Sequence, residues 1–206
     1  MSIQIKQATA EDSAFLAEMI LQSSRAGKKD GLFDLLFETN DDTVILEKLA
    51  RLTKTTAKSH CHFSNFLIAK MDDKSVGTLC SYEPRIATKE TFITALAEVD
   101  CVEQEEHLEV LFACDFNLNK RTLMFDFMEE LEGFLDVGIL KALMQKSLLT
   151  ARLKGYRIAQ TIVEIGSLES QLIYKKLGFS EVKQLECELY KEKFGRLGLS
   201  LLAIEF

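Results

Sequence analysis

The stretch VEIGSLESQLIYKKLGF, Val163 to Phe179, decides how this chain is read. Its first residues end a β-like run, RIAQTIVEI from Arg157 to Ile165, rich in β-branched side chains. Ser167 then stands where a hydroxyl can cap the short helix that follows to Leu177. Gly178 suits the left-handed residue that stops a helix, and Phe179 occupies the position of an apolar residue that folds back on it. Strand, helix and stop follow one another without a linker, which is the grammar of an α/β chain.

Working upstream, GFLDVGILKALMQKSLLTARLKG (Gly133 to Gly155) carries the clearest helical pattern. Ile139, Leu140, Leu143, Met144, Leu148 and Ala151 follow the spacing of one apolar face. Arg152, Lys154 and Gly155 close it with cations and a left-handed stop. Before it, TLMFDFMEEL (Thr122 to Leu131) reads as a strand, so Gly138 marks a strand-to-helix join. The first amides of such a helix lack partners and carry partial positive charge, so they can receive a phosphate, and glycine lets the backbone approach it. The plain alternative is a glycine where the chain changes direction.

Towards the N-terminus, Ile3 to Ala8 alternates as a strand, and Thr9 with Asp12 resembles a capping box. A helix carrying Phe15, Leu16, Met19 and Ile20 follows, and a second covers Thr43 to Lys54. NFLIAKM (Asn65 to Met71) and SVGTLCSY (Ser75 to Tyr82) form a hairpin across DDK. The pattern is helical again from about Thr88 to Cys114. Two strands, Phe179 to Leu189 and Leu199 to Phe206, finish the chain. The order is β-α-α-β-β, a helical insertion, then β-α-β-α-β-β, which predicts one α/β domain over residues 1–206 with a mixed, partly parallel sheet.

Composition narrows the function. The 206 residues are 47% hydrophobic, enough for a full core, and the net charge of −7 argues against nucleic acid or an anionic membrane as partner. Five scattered cysteines without CxxC spacing read as reduced thiols in a cytoplasmic protein. No apolar leader opens MSIQIKQATAED, and no window approaches the roughly 20 apolar residues of a membrane span. Oligomeric state is not legible, and a homodimer stays open.

At this point the residues resemble the acetyl-coenzyme-A-dependent N-acetyltransferase (GNAT) superfamily. Its second motif corresponds to Ser167, Ser170, Tyr174, Gly178 and Phe179, and its cofactor loop falls on Leu135, Gly138 and Leu140. The element order extends the resemblance over nearly the whole chain and implies a twisted mixed sheet flanked by helices. It further implies that backbone groups of Glu130 and Leu131 hold a pantetheine arm and that amides of Leu135, Asp136, Val137, Gly138, Ile139 and Leu140 cradle the pyrophosphate, with Ser167 nearby. Tyr174 would stand near the sulfur and protonate the departing thiolate, a role that suits a phenol with an ordinary pKa of about 10. As a plain structural residue it would bridge helix to sheet.

Direct transfer also needs a base for the amine. Asp126, Glu129 and Glu130 are candidates, and a strict period of two places Asp126 and Glu130 on one face with Glu129 opposite. The plain reading of these acids is the solvated end of a strand. The loop departs from the family pattern: Leu135 and Leu140 replace the usual residues, and Asp136 brings a carboxylate. A carboxylate some 4 Å from phosphate costs on the order of 1–4 kcal/mol, against roughly 8 kcal/mol for micromolar binding. Two readings follow: an acetyltransferase acting on a small-molecule or peptide amine, and a degenerate domain that binds acyl-coenzyme A or a protein partner without turnover.

His60, Cys61 and His62 invite a metal, but alternation gives only two histidines on one face and no further ligand at a suitable spacing, so no metal is expected. His107 is remote. The acids of the Glu103 to Glu109 helix, with Asp30, Asp34, Asp41 and Asp42, suggest a cationic acceptor.

Overall fold

The computed structural model describes residues 2–101, 109, 113, 114, 116, 118, 122–134 and 138–206. Asp72 and Asp73 take left-handed backbone angles (φ 47° and 64°). The hairpin therefore turns in two residues with the twist its strands require, joining β2 (Phe66–Met71) to β3 (Lys74–Tyr82). β1 (Gln4–Gln7) pairs with β2, and β4 (Leu123–Glu130) with β3, both antiparallel. β5 (Ile158–Glu164) runs parallel to β4. β7 (Gly198–Glu205) then lies between β5 and the edge strand β6 (Ser180–Glu186). The seven strands are ordered β1-β2-β3-β4-β5-β7-β6.

Helix starts and stops follow local chemistry. The Thr9 amide and hydroxyl donate to Asp12 at 2.8 and 3.0 Å, shaping a short turn before α1 (Ser13–Arg25). α2 (Leu32–Phe37) was not anticipated, because six residues reading LFDLLF are too short and too apolar to display a period. Asp41 caps α3 (Asp42–Leu52) by accepting from the Thr43 amide at 2.9 Å. α4 (Lys89–Ala97) is the described start of the insertion. It ends early, since Asp100 turns left-handed at φ 56°, and most of the remaining helical expectation lies outside the described residues.

α5 (Ile139–Leu153) and α6 (Leu168–Lys176) both end at the glycines expected. Tyr156 and Phe179 donate their amides to the Ala151 and Tyr174 carbonyls, each at 3.0 Å, across Gly155 and Gly178. The expected strand to Leu189 is shorter than read. Glu188 begins α7 (Glu188–Phe194), which has an acid in its first turn, lysines in its last and Gly195 at φ 67° as its stop.

The sheet separates two cores. Leu16 and Ile20 of α1, Phe33 of α2, Leu49 of α3 and Phe92 of α4 pack on one face with Ile68, Cys80 and Phe127. Ile139, Leu143 and Met144 of α5, with Tyr174 and Phe179, pack on the other against Ala69, Leu79 and Phe125. Neighbours such as Ile68 and Ala69, or Leu79 and Cys80, thus face opposite ways, as a pleated strand requires. Gly77 lets α5 approach β3: a Cβ there would lie 2.7 Å from Ile139 Cγ2.

Candidate active site

β4 and β5 share only two residue pairs, Leu123↔Ala159 and Met124↔Gln160. The strands run on to Glu130 and Glu164, so beyond Met124 they part and leave a V-shaped gap. β4 also bulges. Phe127 has φ 44°, and the register with β3 slips between Thr78 and Cys80. The Asp126 carboxylate accepts from the Phe127 amide at 2.8 Å, and the Thr78 hydroxyl donates to the Phe127 carbonyl at 3.0 Å. Such a bulge bends its strand and sharpens the local twist, which accounts for the divergence from β5.

The bulge overturns the strict period of two. Asp126 opposes Cys80 and Glu129 opposes Thr78, so these two acids share a face, whereas Glu130 opposes Gly77 on the α5 side. Burial pushes the Asp126 carboxyl up to about 6 and that of Glu129 to about 7. Hydrogen bonds from Ser23 and Gln22 oppose the rise at Glu129. Gln22 Nε2 lies 2.9 Å from Glu129 Oε2 and 3.2 Å from the Glu130 carbonyl.

Tyr174 lies on the inner face of α6, only 8% exposed. Its ring meets Phe179 edge-on at 5.2 Å. Burial raises its phenol well above the ordinary value, Thr161 opposes that shift with a hydrogen bond, and the fields of Asp126 and Glu129 add to it. The fold thus brings the α6 phenol within electrostatic reach of both β4 carboxylates.

The residues expected at the coenzyme separate by role. Gly138 has φ 89° and precedes the first turn of α5, and a Cβ there would meet nothing within 4 Å. Ile139 and Leu140 bury their side chains in the core, leaving only their unpaired first-turn amides for a ligand. Leu131 is committed elsewhere: its amide donates to Val76 at 2.9 Å and its carbonyl accepts from Phe134 at 3.1 Å. By strand alternation Glu130, its neighbour, directs its backbone away from β3, towards the gap. Leu135, Asp136 and Val137 lie outside the described residues. The Ser167 hydroxyl donates to Ser170 at 3.0 Å and caps no backbone amide.

Sequence reasoning missed how the mouth of the gap is framed. Glu164, at the end of β5, accepts from Lys28 and from the Tyr190 hydroxyl (2.9 Å), with Arg196 Nε 3.3 Å away. Gln22 therefore ties the end of α1 to β4, and Lys28 ties the residues just after it to β5. Nothing in the spacing of these residues signals the network, because they come from four separate segments.

The histidines diverge. The His60 ring packs 4.5 Å from Phe92 and 5.8 Å from Phe127, and burial lowers its pKa to about 4. His62 turns towards Phe63 at 4.3 Å, with Nδ1 2.8 Å from Ser64 Oγ. The segment leads into a helical turn, Phe63–Asn65, so strand alternation does not apply. Among the described residues no group of metal-ligating side chains comes together. The acids near the first helices are largely occupied: Asp34 and Asp42 bind Arg25 at 2.7 and 2.6 Å, and Asp41 caps α3. Among the described residues Asp30 alone of the four has no such role, so three of these acids are not free to hold a cation. His107 and most of the acids expected around Glu103 to Glu109 lie outside the described residues.

No protein-family model matches the sequence, and no curated protein matches it. Solved structures do match its backbone. An N-acetyltransferase from Staphylococcus aureus Mu50 superposes with a TM-score of 0.71 at 16% identity, over 98% of this chain and 100% of that one. The PaiA N-acetyltransferase from Thermoplasma acidophilum, in complex with coenzyme A, gives 0.58 at 14% identity over 100% of both chains. A GNAT-family acetyltransferase from Staphylococcus aureus Mu50 gives 0.56 at 16% identity over 99% of each. What two short motifs suggested in the sequence extends along nearly the whole backbone: the chain has the fold of the GNAT acetyltransferases.

Proposed function

We propose that the protein moves the acetyl group of acetyl-coenzyme A to a primary amine by direct attack in a ternary complex. The observation that carries this reading is the β4–β5 gap, with Tyr174, Asp126 and Glu129 gathered about it. The gap fits the coenzyme's needs. A pantetheine arm requires a slot between strands, which the gap beside Glu130 offers, and a pyrophosphate requires unpaired amides, which Ile139 and Leu140 offer beside Gly138. Bound there, acetyl-coenzyme A supplies the thioester.

Asp126 or Glu129 accepts the proton that the amine nitrogen gives up as it attacks. Carboxyls titrating near 6 and 7 are stronger bases at neutral pH than ordinary ones. Glu130 is the weaker choice, because it faces α5. Tyr174, kept protonated by burial, donates to the sulfur as the C–S bond breaks. The acquired proton passes from the carboxylate to solvent and the tyrosinate recovers one, leaving an N-acetyl amide and a free thiol.

Calorimetric titration with acetyl-coenzyme A, followed by a screen of amines, tests the proposal. Low-micromolar binding with turnover, and a kcat at least tenfold lower in Tyr174→Phe at unchanged coenzyme KM, is the expected result. One feature favours the second reading, a binding domain without turnover: the Asp136 carboxylate in the loop. Binding seen only in Asp136→Gly, or binding without turnover of any amine, selects that reading.

A further inference from the structure

At the far end of β4 from the gap, a cavity of about 350 Å³ opens between the C-terminal half of α5 and strands β1 to β3. Its floor is apolar, formed by Ile5, Leu67, Leu123 and Ala151, and Lys6, Lys58, Lys146 and Lys154 stand around it. Lys6 is bound to Asp12 at 2.7 Å, but the other three lysines form no ion pair among the described residues. Glu83, the carboxylate on the wall, is engaged by Arg85 at 2.7 Å and by Tyr156, and its charge also acts on Lys154. In a chain of net charge −7, this is a local reversal of sign.

A second observation points the same way. Ser147 also lines the cavity and offers it a hydroxyl, although the residue as a whole is only 3% exposed. Lys154 has an ordinary explanation as a cation at a helix C-terminus. Lys146 lies two turns earlier and Lys58 comes from a separate segment, so that explanation does not reach them. The coenzyme does not account for the cavity either, since Ser147 and Thr150 stand roughly 12–17 Å along α5 from Ile139.

We propose that this cavity is a second ligand site, independent of the gap, for a small organic anion. An apolar body would rest on Leu67, Leu123 and Ala151, and its anionic head would lie among Lys58, Lys146 and Lys154 and accept from Ser147. The site needs no contribution from the acyl-transfer residues, so it stands or falls separately from the function proposed above.

Fluorescence titration of the intact protein with 8-anilinonaphthalene-1-sulfonate tests it, beside a Lys58→Glu/Lys146→Glu double variant and in the presence of saturating coenzyme A. Both lysines are exposed, so the substitutions leave the core untouched. Saturable binding at one site, weakened at least tenfold in the double variant and unaffected by coenzyme A, is the expected result. Absence of binding, equal affinity in the two proteins, or displacement by coenzyme A would overturn the proposal.

Discussion

Asp126→Asn removes a charge from the β4 bulge while keeping the oxygen that accepts from the Phe127 amide at 2.8 Å. Burial lifts this carboxyl from its ordinary 3.8 to about 6, which corresponds to about 3 kcal/mol at about 1.4 kcal/mol per pH unit. The folded protein keeps its proton to a higher pH than the unfolded chain does. Folding therefore takes up a proton between about pH 4 and about pH 6, and stability falls as pH rises through that window. Below the window wild type and variant should be equally stable. Above it the asparagine protein should be stabler by about 2–3 kcal/mol, the lower figure allowing about 1 kcal/mol for an amide NH₂ left without an acceptor. With a urea slope of about 2 kcal/mol per molar, the midpoint should move up by about 1 M near pH 7.5 and coincide with wild type near pH 4. A variant less stable than wild type near pH 7.5, or a gap between the two that does not change with pH, would refute the reasoning.

Other perturbations read other parts of the site. Glu129→Gln should remove the limb of kcat/KM that rises towards the carboxyl's pKa of about 7; an unchanged pH profile takes Glu129 out of the proton path. Gly77→Ala would bring a Cβ within 2.7 Å of Ile139 and 2.9 Å of the Glu129 carbonyl. The protein should lose about 1–3 kcal/mol in denaturant titration, with weaker acetyl-coenzyme A binding as the start of α5 shifts. Glu164→Gln leaves Lys28 and Arg196 facing each other without their shared carboxylate, and should cost about 2–4 kcal/mol; a melting temperature within a degree of wild type would dismiss the network as structural support. Gly138→Ala imposes φ 89° on a residue with a Cβ and should cost about 1–2 kcal/mol of stability.

What the sequence made legible is what local chemistry controls. Gly155 and Gly178 stop their helices because left-handed geometry is cheap only without a Cβ, and the Asp72–Asp73 turn is written in residues that tolerate it. The strand-to-helix join at Gly138 was readable for the same reason. The bulge at Phe127 was not, since one aspartate in an apolar run does not locate a bulge and the slip exists only in the pairing with β3. That one slip decides which acids share a face: period-two counting groups Glu130 with Asp126, and the pairing groups Glu129 with it. The insertion of β7 between β5 and β6 is equally a property of pairing. α2 and α7 are too short to show a period, and the Glu164 network joins segments that carry no common motif.

Two residue pairs at the middle of a seven-stranded sheet make a hinge rather than a seam. β1 to β4 form one leaf and β5 to β7 the other, and the leaves meet at Leu123 and Met124. The latch across their free ends is α1 with the turn after it, gripping the first leaf through Gln22 on Glu129 and the second through Lys28 on Glu164. α1 is also packed on the first leaf through Leu16 and Ile20, so opening the leaves works chiefly against the Lys28 contact with Glu164. The width of the gap is thus governed from α1 and the turn after it, so a push on that helix is felt directly between β4 and β5.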